Sequence, residues 1–256
     1  MITDSFDLDS RAIIDPFDLR GENLPKVDIC IITFSRVIEK FVTENFPCEQ
    51  IAVLKNATGD IPVYAFDHEG RRIGFFKSYE GSPAAVGAIE DCIMVMDCEK
   101  FLAFGGAGCL DKEIAHGKVM VPDEAYRDEG TSYHYAAPAD YIKVKNAGRV
   151  AKFMEENGLP YVVGKTWTTD AFFRETRNNF NKRKAEGCIS VEMECSGFQA
   201  VCDFRGLEFY TFFTSGDLLD APKWDERKKN DQSKGTQHDT GHFDIALELA
   251  VYVAQH

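Results

Sequence analysis

The sequence lacks the features of membrane proteins and of nucleic-acid-binding proteins. No apolar run reaches the ~20 residues that a helix needs to span a bilayer. Basic residues are scarce, with 29 Lys and Arg against 42 Asp and Glu and a formal net charge of −13. That balance argues against a nucleic-acid surface and gives no general attraction to anionic membranes. Residues 1–7 are acidic and lack the basic and apolar regions of a signal peptide. We therefore expect a cytoplasmic protein.

Paired cysteines are also missing. The chain has eight cysteines and six histidines, but no Cys-x-x-Cys pair and no histidines clustered near the cysteines. Most of the cysteines lie among apolar residues, which is typical of buried free thiols in an intracellular protein. The sequence therefore predicts neither a metal site nor an organic cofactor.

Strands and helices alternate along the chain. At 256 residues, 44% of them hydrophobic, the chain can form a sizeable core. The apolar run 207–214 predicts a buried strand, and 139–157 predicts a helix. Residues 1–26 predict a loosely structured N-terminal arm, and the charged segment 222–241 predicts a mobile surface loop. We expect a single three-layer α/β/α domain over 1–256 with a mixed central sheet.

Two carboxylates lie where a short strand gives way to a helix. The strand is predicted over 189–191 and the helix from about Glu194, with Glu192 and Glu194 on either side of Met193. Ligands of open α/β sheets bind at the carboxyl ends of strands, where a carboxylate could accept hydrogen bonds from a sugar diol. Alternatively, Glu194 only favours the helix N-terminus, an effect of ~0.3–1 kcal/mol. Spacing alone leaves both interpretations open.

Further candidate ligands follow other predicted strands. Arg36 follows the first strand, a glycine-rich turn is predicted over 105–108, and Asp217 follows a buried strand. The glycines could expose backbone N–H groups to a ligand, or they could simply form a tight turn at the end of the strand. Asp217 could act on a ligand or cap the turn after Ser215. Together with the two glutamates, these residues could surround one pocket.

Several stretches of the chain resemble the nucleoside phosphorylase family, which includes purine nucleoside phosphorylases and uridine phosphorylases. These stretches are Phe104-Gly-Gly-Ala-Gly108, Gly117-Lys-Val-Met-Val-Pro-Asp-Glu-Ala125, Arg127-Asp-Glu-Gly-Thr-Ser-Tyr-His-Tyr135, Thr168-Thr-Asp-Ala-Phe-Phe173 and Val191-Glu-Met-Glu194. The resemblance covers most of the chain. It implies a phosphorylase-type fold that assembles into a homodimer or a hexamer built as a trimer of dimers.

The resemblance also implies roles for individual residues. Glu194 would accept hydrogen bonds from the ribose hydroxyls, Met193 would pack on the sugar and Glu192 would assist. Asp217 would be the catalytic acid that protonates the leaving base. The remaining residues fall into a base-binding set and a phosphate-binding set. These are Trp167, Thr168 and Phe172 for the base, and Arg36, Gly105, Gly106 and a neighbouring subunit's Lys55 for phosphate.

The chain departs from the family at the phosphate end. Ala103 replaces an arginine, Gly106 replaces a Ser or Thr, and Ile32-Thr33 replace a Gly-Asp pair. Phe17 stands where related enzymes carry a histidine. The Gln-x-Arg pair of uridine enzymes is not clearly present around 175–177.

These departures leave three functions open. The expected function is cleavage of a purine nucleoside or uridine, with inorganic phosphate as co-substrate, to a free base and ribose 1-phosphate. The alternatives are a nucleosidase that uses water and a nucleoside binder without catalysis.

Overall fold

A computed structural model of the chain describes residues 1–223, Asp225 and 232–255, with the backbone alone for 232–239. The described residues form ten strands and six α-helices. In chain order these are β1 (Ile29–Thr33), α1 (Arg36–Asn45), β2 (Glu49–Leu54), β3 (Ile61–His68), β4 (Arg71–Lys77), α2 (Ser82–Val95), β5 (Lys100–Cys109), β6 (Val119–Asp128), β7 (Tyr141–Lys143), α3 (Ala147–Glu156), β8 (Tyr161–Thr169), α4 (Arg177–Ala185), β9 (Cys188–Glu192), α5 (Cys195–Arg205), β10 (Glu208–Leu218) and α6 (Gln232–Ala254).

All ten strands belong to one mixed sheet. Its order is β10-β6-β8-β9-β5-β1-β4-β3-β2, with β7 paired to β6. Strand β5 pairs in parallel with β1 and β10 and antiparallel with β9. Because β5 also contacts β10, the five strands β10, β6, β8, β9 and β5 close into a ring. The predicted α/β fold with a mixed central sheet is confirmed.

The helices cover the sheet in two groups. Helix α6 packs against α1 and α3, whereas α2 packs against α5. Every residue of β1 is buried, as expected for a strand covered on both faces. Gly197 of α5 lies so close to α2 that an added Cβ would be 2.9 Å from Ser82 Oγ. This close contact fixes the start of α5 relative to the start of α2.

Local signals in the sequence explain several element boundaries. Ser35 Oγ accepts the Ile38 N–H at 3.4 Å and caps α1. Helix α2 begins at Ser82 with proline in its first turn. The β3–β4 hairpin turns at Glu69 and Gly70, which both have positive φ, as a two-residue hairpin turn requires.

Two predicted elements have different boundaries in the structure. The helix predicted over 139–157 is replaced by β7 followed by α3, which begins at Ala147. The predicted glycine turn at 105–108 is part of β5, which continues to Cys109. The glycines stay extended because β10 pairs with them in register, Phe213 with Gly105 and Thr214 with Gly106.

The predicted N-terminal arm and the predicted charged loop lie towards the two ends of the chain. Asp15 and Arg20 tie the predicted arm to the body through ion pairs with Arg205 and Asp97, at 3.3 and 2.8 Å. Of the predicted loop, residues 224 and 226–231 lie outside the described residues, and α6 is already helical from Gln232. Among the described residues, no helix combines the length and the apolar character needed to cross a membrane.

The contact between α2 and α5 predicts opposite effects of one substitution at two helical glycines. Gly197→Ala should destabilise the protein by about 1–3 kcal/mol, because the new methyl group meets the fully buried Ser82. A Cβ added at Gly87 in α2 meets nothing within 4 Å. Gly87→Ala should therefore stabilise the protein by about 0.5–1 kcal/mol through the higher helix propensity of alanine. Urea unfolding measures both. Equal effects would contradict the close packing of the two helices.

Candidate active site

A cavity of about 750 Å³ opens beside the junction of β9 and α5. Its wall combines the glycines of β5, the β9–α5 junction, the end of β10 and the segment before α4. Of the residues predicted from sequence, the structure brings seven to this wall. They are Gly105, Gly106, Phe172, Glu192, Met193, Glu194 and Asp217.

Glu192 holds the start of α5 in place. Its Oε2 accepts the backbone N–H groups of Glu194 and Cys195 at 2.8 and 2.7 Å. Its Oε1 accepts the hydroxyls of Thr168 and Thr166 at 2.6 and 3.3 Å. Burial raises the pKa of Glu192 to about 7, and each of these four bonds opposes the rise. With about four acceptor positions occupied, Glu192 positions the junction and has little capacity left for a ligand.

Glu194 lies in the wall with acceptor capacity to spare. Its Oε1 accepts the Gly81 N–H at 2.6 Å, and a carboxylate can accept about four hydrogen bonds. Burial, followed by the negative charge of Glu192, raises the pKa of Glu194 to about 8. The neighbouring Met193 carbonyl accepts the Ser82 hydroxyl at 2.9 Å, which anchors the segment to α2. Glu194 can therefore accept from two adjacent hydroxyls of a ligand.

Asp217 reaches the same cavity through an irregularity in β10. The register of β10 on β5 shifts between Ser215 and Leu218, as in a β-bulge, which can re-aim a side chain. Gly216 allows β10 to approach β5 closely, since a Cβ at Gly216 would lie 3.2 Å from the Ala107 carbonyl oxygen. At Gly108, a Cβ would lie 3.3 Å from Asp217 Oδ1. The glycines of β5 thus make room for the Asp217 side chain.

Part of the cavity wall is aromatic. Phe172 and Phe173 pack with ring centroids 4.1 Å apart, and Phe173 is 88% exposed at the rim. Half-buried Glu175 also lines the wall; burial, followed by the charge of Asp217, raises its pKa to about 7. Arg177 donates to the carbonyl oxygens of Leu219 and Ala221, at 3.4 Å each, and joins α4 to the chain after β10.

Acidic groups outnumber basic groups in the cavity wall. Five carboxyl groups line it against a single guanidinium, that of Arg177. The carboxyls are Glu80, Glu175, Glu192, Glu194 and Asp217. Burial raises the pKa values of Glu175, Glu192 and Glu194. In their ionised forms these groups favour a positive charge that develops on a bound ligand and oppose a bound anion.

Thr168 and Trp167, both predicted to bind the base, lie outside the cavity. Successive residues of a strand point to opposite faces, so the two cannot share a pocket on β8. Thr168 donates to Glu192 and accepts the Ser196 N–H at 3.1 Å, so it supports the junction. Trp167 is 1% exposed in a separate apolar cluster, and its indole N–H donates to Asp128 at 2.9 Å.

The two predicted cations also lie outside the cavity wall. Arg36 is exposed in the first turn of α1, two residues after Phe34, which does line the wall. Lys55 is 76% exposed and pairs with Asp60 at 2.5 Å. Phe17, at the position of the family's histidine, lies near Arg205 at the far end of α5.

Sequence reasoning did not assign four residues of the wall that matter for its chemistry. They are Phe34, Glu80, Glu175 and Arg177. Glu175 and Arg177 stand where a Gln-x-Arg pair was sought, which is the signal that could have identified them. Glu80 lies two residues before α2, whose start is marked in the sequence by Ser82-Pro83.

Potential metal ligands lie elsewhere. Within the described part of the chain, one group of three ligand atoms lies within 4.8 Å, those of His68, Glu69 and Glu248 near the β3–β4 turn. None of these residues lines the cavity. All eight cysteines are free thiols, and all except Cys48 are buried, as predicted.

The raised pKa of Glu194 predicts a pH-dependent stability. The unfolded carboxyl loses its proton near the ordinary pKa of 4.5, whereas the folded one keeps it up to about pH 8. The folded state therefore binds more protons in this window, and its stability falls as the pH rises. Glu194→Gln should remove the loss of stability that ionisation of Glu194 causes, and should therefore stabilise the protein more at pH 8 than at pH 5.

The free energy of unfolding, measured in urea at both pH values, tests this expectation. Glu44→Gln is the control, because that side chain is 60% exposed in an α1 ion pair. A stabilisation by Glu194→Gln that does not change with pH would contradict the burial of Glu194.

Comparison with known proteins agrees with this geometry. The family model described as the phosphorylase superfamily matches residues 28–242. A purine nucleoside phosphorylase, DeoD-type, of Exiguobacterium sp. is 24% identical over 188 residues, covering 70% of this chain and 76% of the relative. One of Colwellia psychrerythraea is 24% identical over 217 residues, covering 82% and 88% respectively. Because the family match spans most of its length, this chain belongs to the phosphorylase superfamily.

Proposed function

We propose that this protein cleaves the N-glycosidic bond of a purine nucleoside, with inorganic phosphate as the acceptor of the ribosyl group. One observation carries the proposal: Glu194 and Asp217 line the same cavity. A nucleoside placed there has its ribose diol against Glu194 and its base towards Asp217. The names of the relatives, purine nucleoside phosphorylases, support the same reaction.

The reaction separates charge across the cavity. The bond from C1′ to the base nitrogen breaks with its electron pair leaving on the base, and Asp217 donates a proton to the base ring. A phosphate oxygen forms the new bond to C1′ and gives ribose 1-phosphate. Positive charge develops on the sugar in between, and Glu194 in its ionised form stabilises that charge more strongly than it stabilises the neutral ground state. The developing charge also favours ionisation of Glu194 and so opposes the rise in its pKa that burial causes.

The phosphate would lie between Gly105 and Gly106 and the start of α1. Glycine leaves room for an anion to approach the strand, and a helix N-terminus attracts negative charge. Arg36 begins that helix directly after the cavity wall at Phe34. In this proposal Lys55 comes from a neighbouring copy of the chain, in a homodimer or a trimer of dimers, and adds a second cation.

Hydrolysis is the second candidate, and the charge of the cavity favours it. Five carboxyls face one guanidinium, and within the chain neither Arg36 nor Lys55 lines the wall. Water carries no charge and needs no cation, whereas each charged hydrogen bond lost to phosphate costs ~1.5–3 kcal/mol. A silent nucleoside binder is less favoured, because binding alone does not require an acid beside the base.

Base release from inosine, adenosine and uridine, with and without phosphate, tests the proposal. We expect phosphate-dependent release from the purine nucleosides. Release that is independent of phosphate would establish hydrolysis, and saturable binding without release would contradict catalysis altogether. Asp217→Asn should lower kcat by about 10²–10⁴-fold, since it removes the proton donor. The control is Asp18→Asn, on a 54% exposed side chain of the N-terminal arm, which should leave kcat unchanged.

A further inference from the structure

Glu129 is a buried carboxylate that contacts the first turn of α5 from outside the cavity. It directly follows β6 in the chain. Its Oε1 accepts the hydroxyl of Ser196, the second residue of α5, at 2.9 Å. Its Oε2 accepts the Ser132 N–H, also at 2.9 Å. Glu129 therefore ties the segment after β6 to the start of the helix that follows the β9–α5 junction.

Arg127 holds the segment that presents Glu129. Its guanidinium is buried and donates to the Ser132 hydroxyl at 2.8 Å and to the Ala137 carbonyl oxygen at 2.7 Å. The Tyr133 ring covers the guanidinium, with its centroid 4.1 Å from Arg127 Cζ. Ser132 is thus bound twice, by Arg127 at its hydroxyl and by Glu129 at its N–H. Turning the carboxylate away from α5 would break this buried network, and the network therefore fixes its direction.

Glu129 and Glu192 hold neighbouring residues of one helix turn. Glu192 accepts the N–H groups of Glu194 and Cys195. Glu129 holds the next residue, Ser196, by its side chain. Ser196 is fully buried and lies two residues after Glu194. The position of Glu194 in the wall therefore depends on two carboxylates, one that lines the cavity and one, Glu129, that does not.

We propose that Glu129, acting through Ser196, is a positioning residue for ribose recognition. It holds the first turn of α5 in the orientation in which Glu194 accepts from both the 2′- and the 3′-hydroxyl. Hydrogen bonds weaken steeply when their angle falls below ~120°, so a tilt of this turn weakens one of the two bonds. This inference rests on the proposed function, because that function places the ribose diol against Glu194.

The ratio of kcat/KM for adenosine to that for 2′,3′-dideoxyadenosine measures the contribution of the diol. We expect this ratio to fall about tenfold in Ser196→Ala, the effect of one lost hydrogen bond to a charged group. The change is mild, since Glu129 keeps its bond to Ser132 and alanine favours a helix. Glu129→Gln should lower the ratio at least as far. The double variant should lower it no further than Glu129→Gln alone, because both residues act through one contact.

Two matched variants separate positioning from a merely structural role. Glu90→Gln removes a carboxylate that pairs with Arg205 at 2.9 Å, at the far end of α5. Thr43→Ala removes a helix hydroxyl that donates to a backbone carbonyl oxygen of α1 at 3.0 Å. Both should leave the ratio intact, because a change in the folded fraction alters both rates by the same factor. A similar fall of the ratio in either control would overturn the positioning role.

Binding distinguishes failure of the inference from failure of the proposed function. Calorimetric titration with the same two nucleosides, without phosphate, should show tighter binding of adenosine to the wild-type protein. Equal binding of the two would overturn the inference. A preference that Ser196→Ala abolishes, without cleavage of any nucleoside, would support the inference and contradict the catalytic proposal. Cleavage of both nucleosides at a ratio that neither Ser196→Ala nor Glu129→Gln changes would overturn the inference and leave the catalytic proposal standing.

Discussion

The contact between the Glu192 carboxylate and the first N–H groups of α5 sets the geometry on which the rest of the site depends. The four hydrogen bonds of this side chain, two from the helix and two from threonines of β8, join strand and helix rigidly at their junction. Glu194 and Met193 lie between these anchors, and Ser82 of α2 holds the Met193 carbonyl from the other side. The segment that faces the cavity is therefore held by Glu192, which also lines the wall, and by Thr166, Thr168 and Ser82, which do not.

Burial of several acids in one cavity has an energetic cost that a suitable ligand can offset. Glu175, Glu192 and Glu194 all have raised pKa values, with burial as the first cause in each case. A ligand that donates hydroxyls or develops positive charge relieves this penalty, whereas an anion increases it. The same electrostatics thus favour the proposed ribosyl transfer, in which the binding of phosphate is the most demanding requirement.

The sequence was most informative where local chemistry decides structure. The β9–α5 junction, the Ser35 cap and the buried strand before Asp217 follow from short-range signals, and the structure contains each of them. The sequence was least informative where pairing with another strand decides the local structure. Tyr141–Lys143 is a strand because β6 pairs with it, and the glycines 105–108 are extended because β10 needs their close approach. Likewise, β8 runs as far as Thr169, and the alternation of its side chains between the two faces of the sheet separates Trp167 from Thr168.

A C-nucleoside analogue of adenosine has a carbon–carbon glycosidic bond that resists cleavage. A crystal structure with this ligand bound would show whether Glu194 and Asp217 contact the same nucleoside. We expect the 2′- and 3′-hydroxyls within hydrogen-bonding distance of Glu194 and the base beside Asp217. A ligand bound outside this cavity, or bound with its sugar and base ends exchanged, would contradict the roles of these two residues.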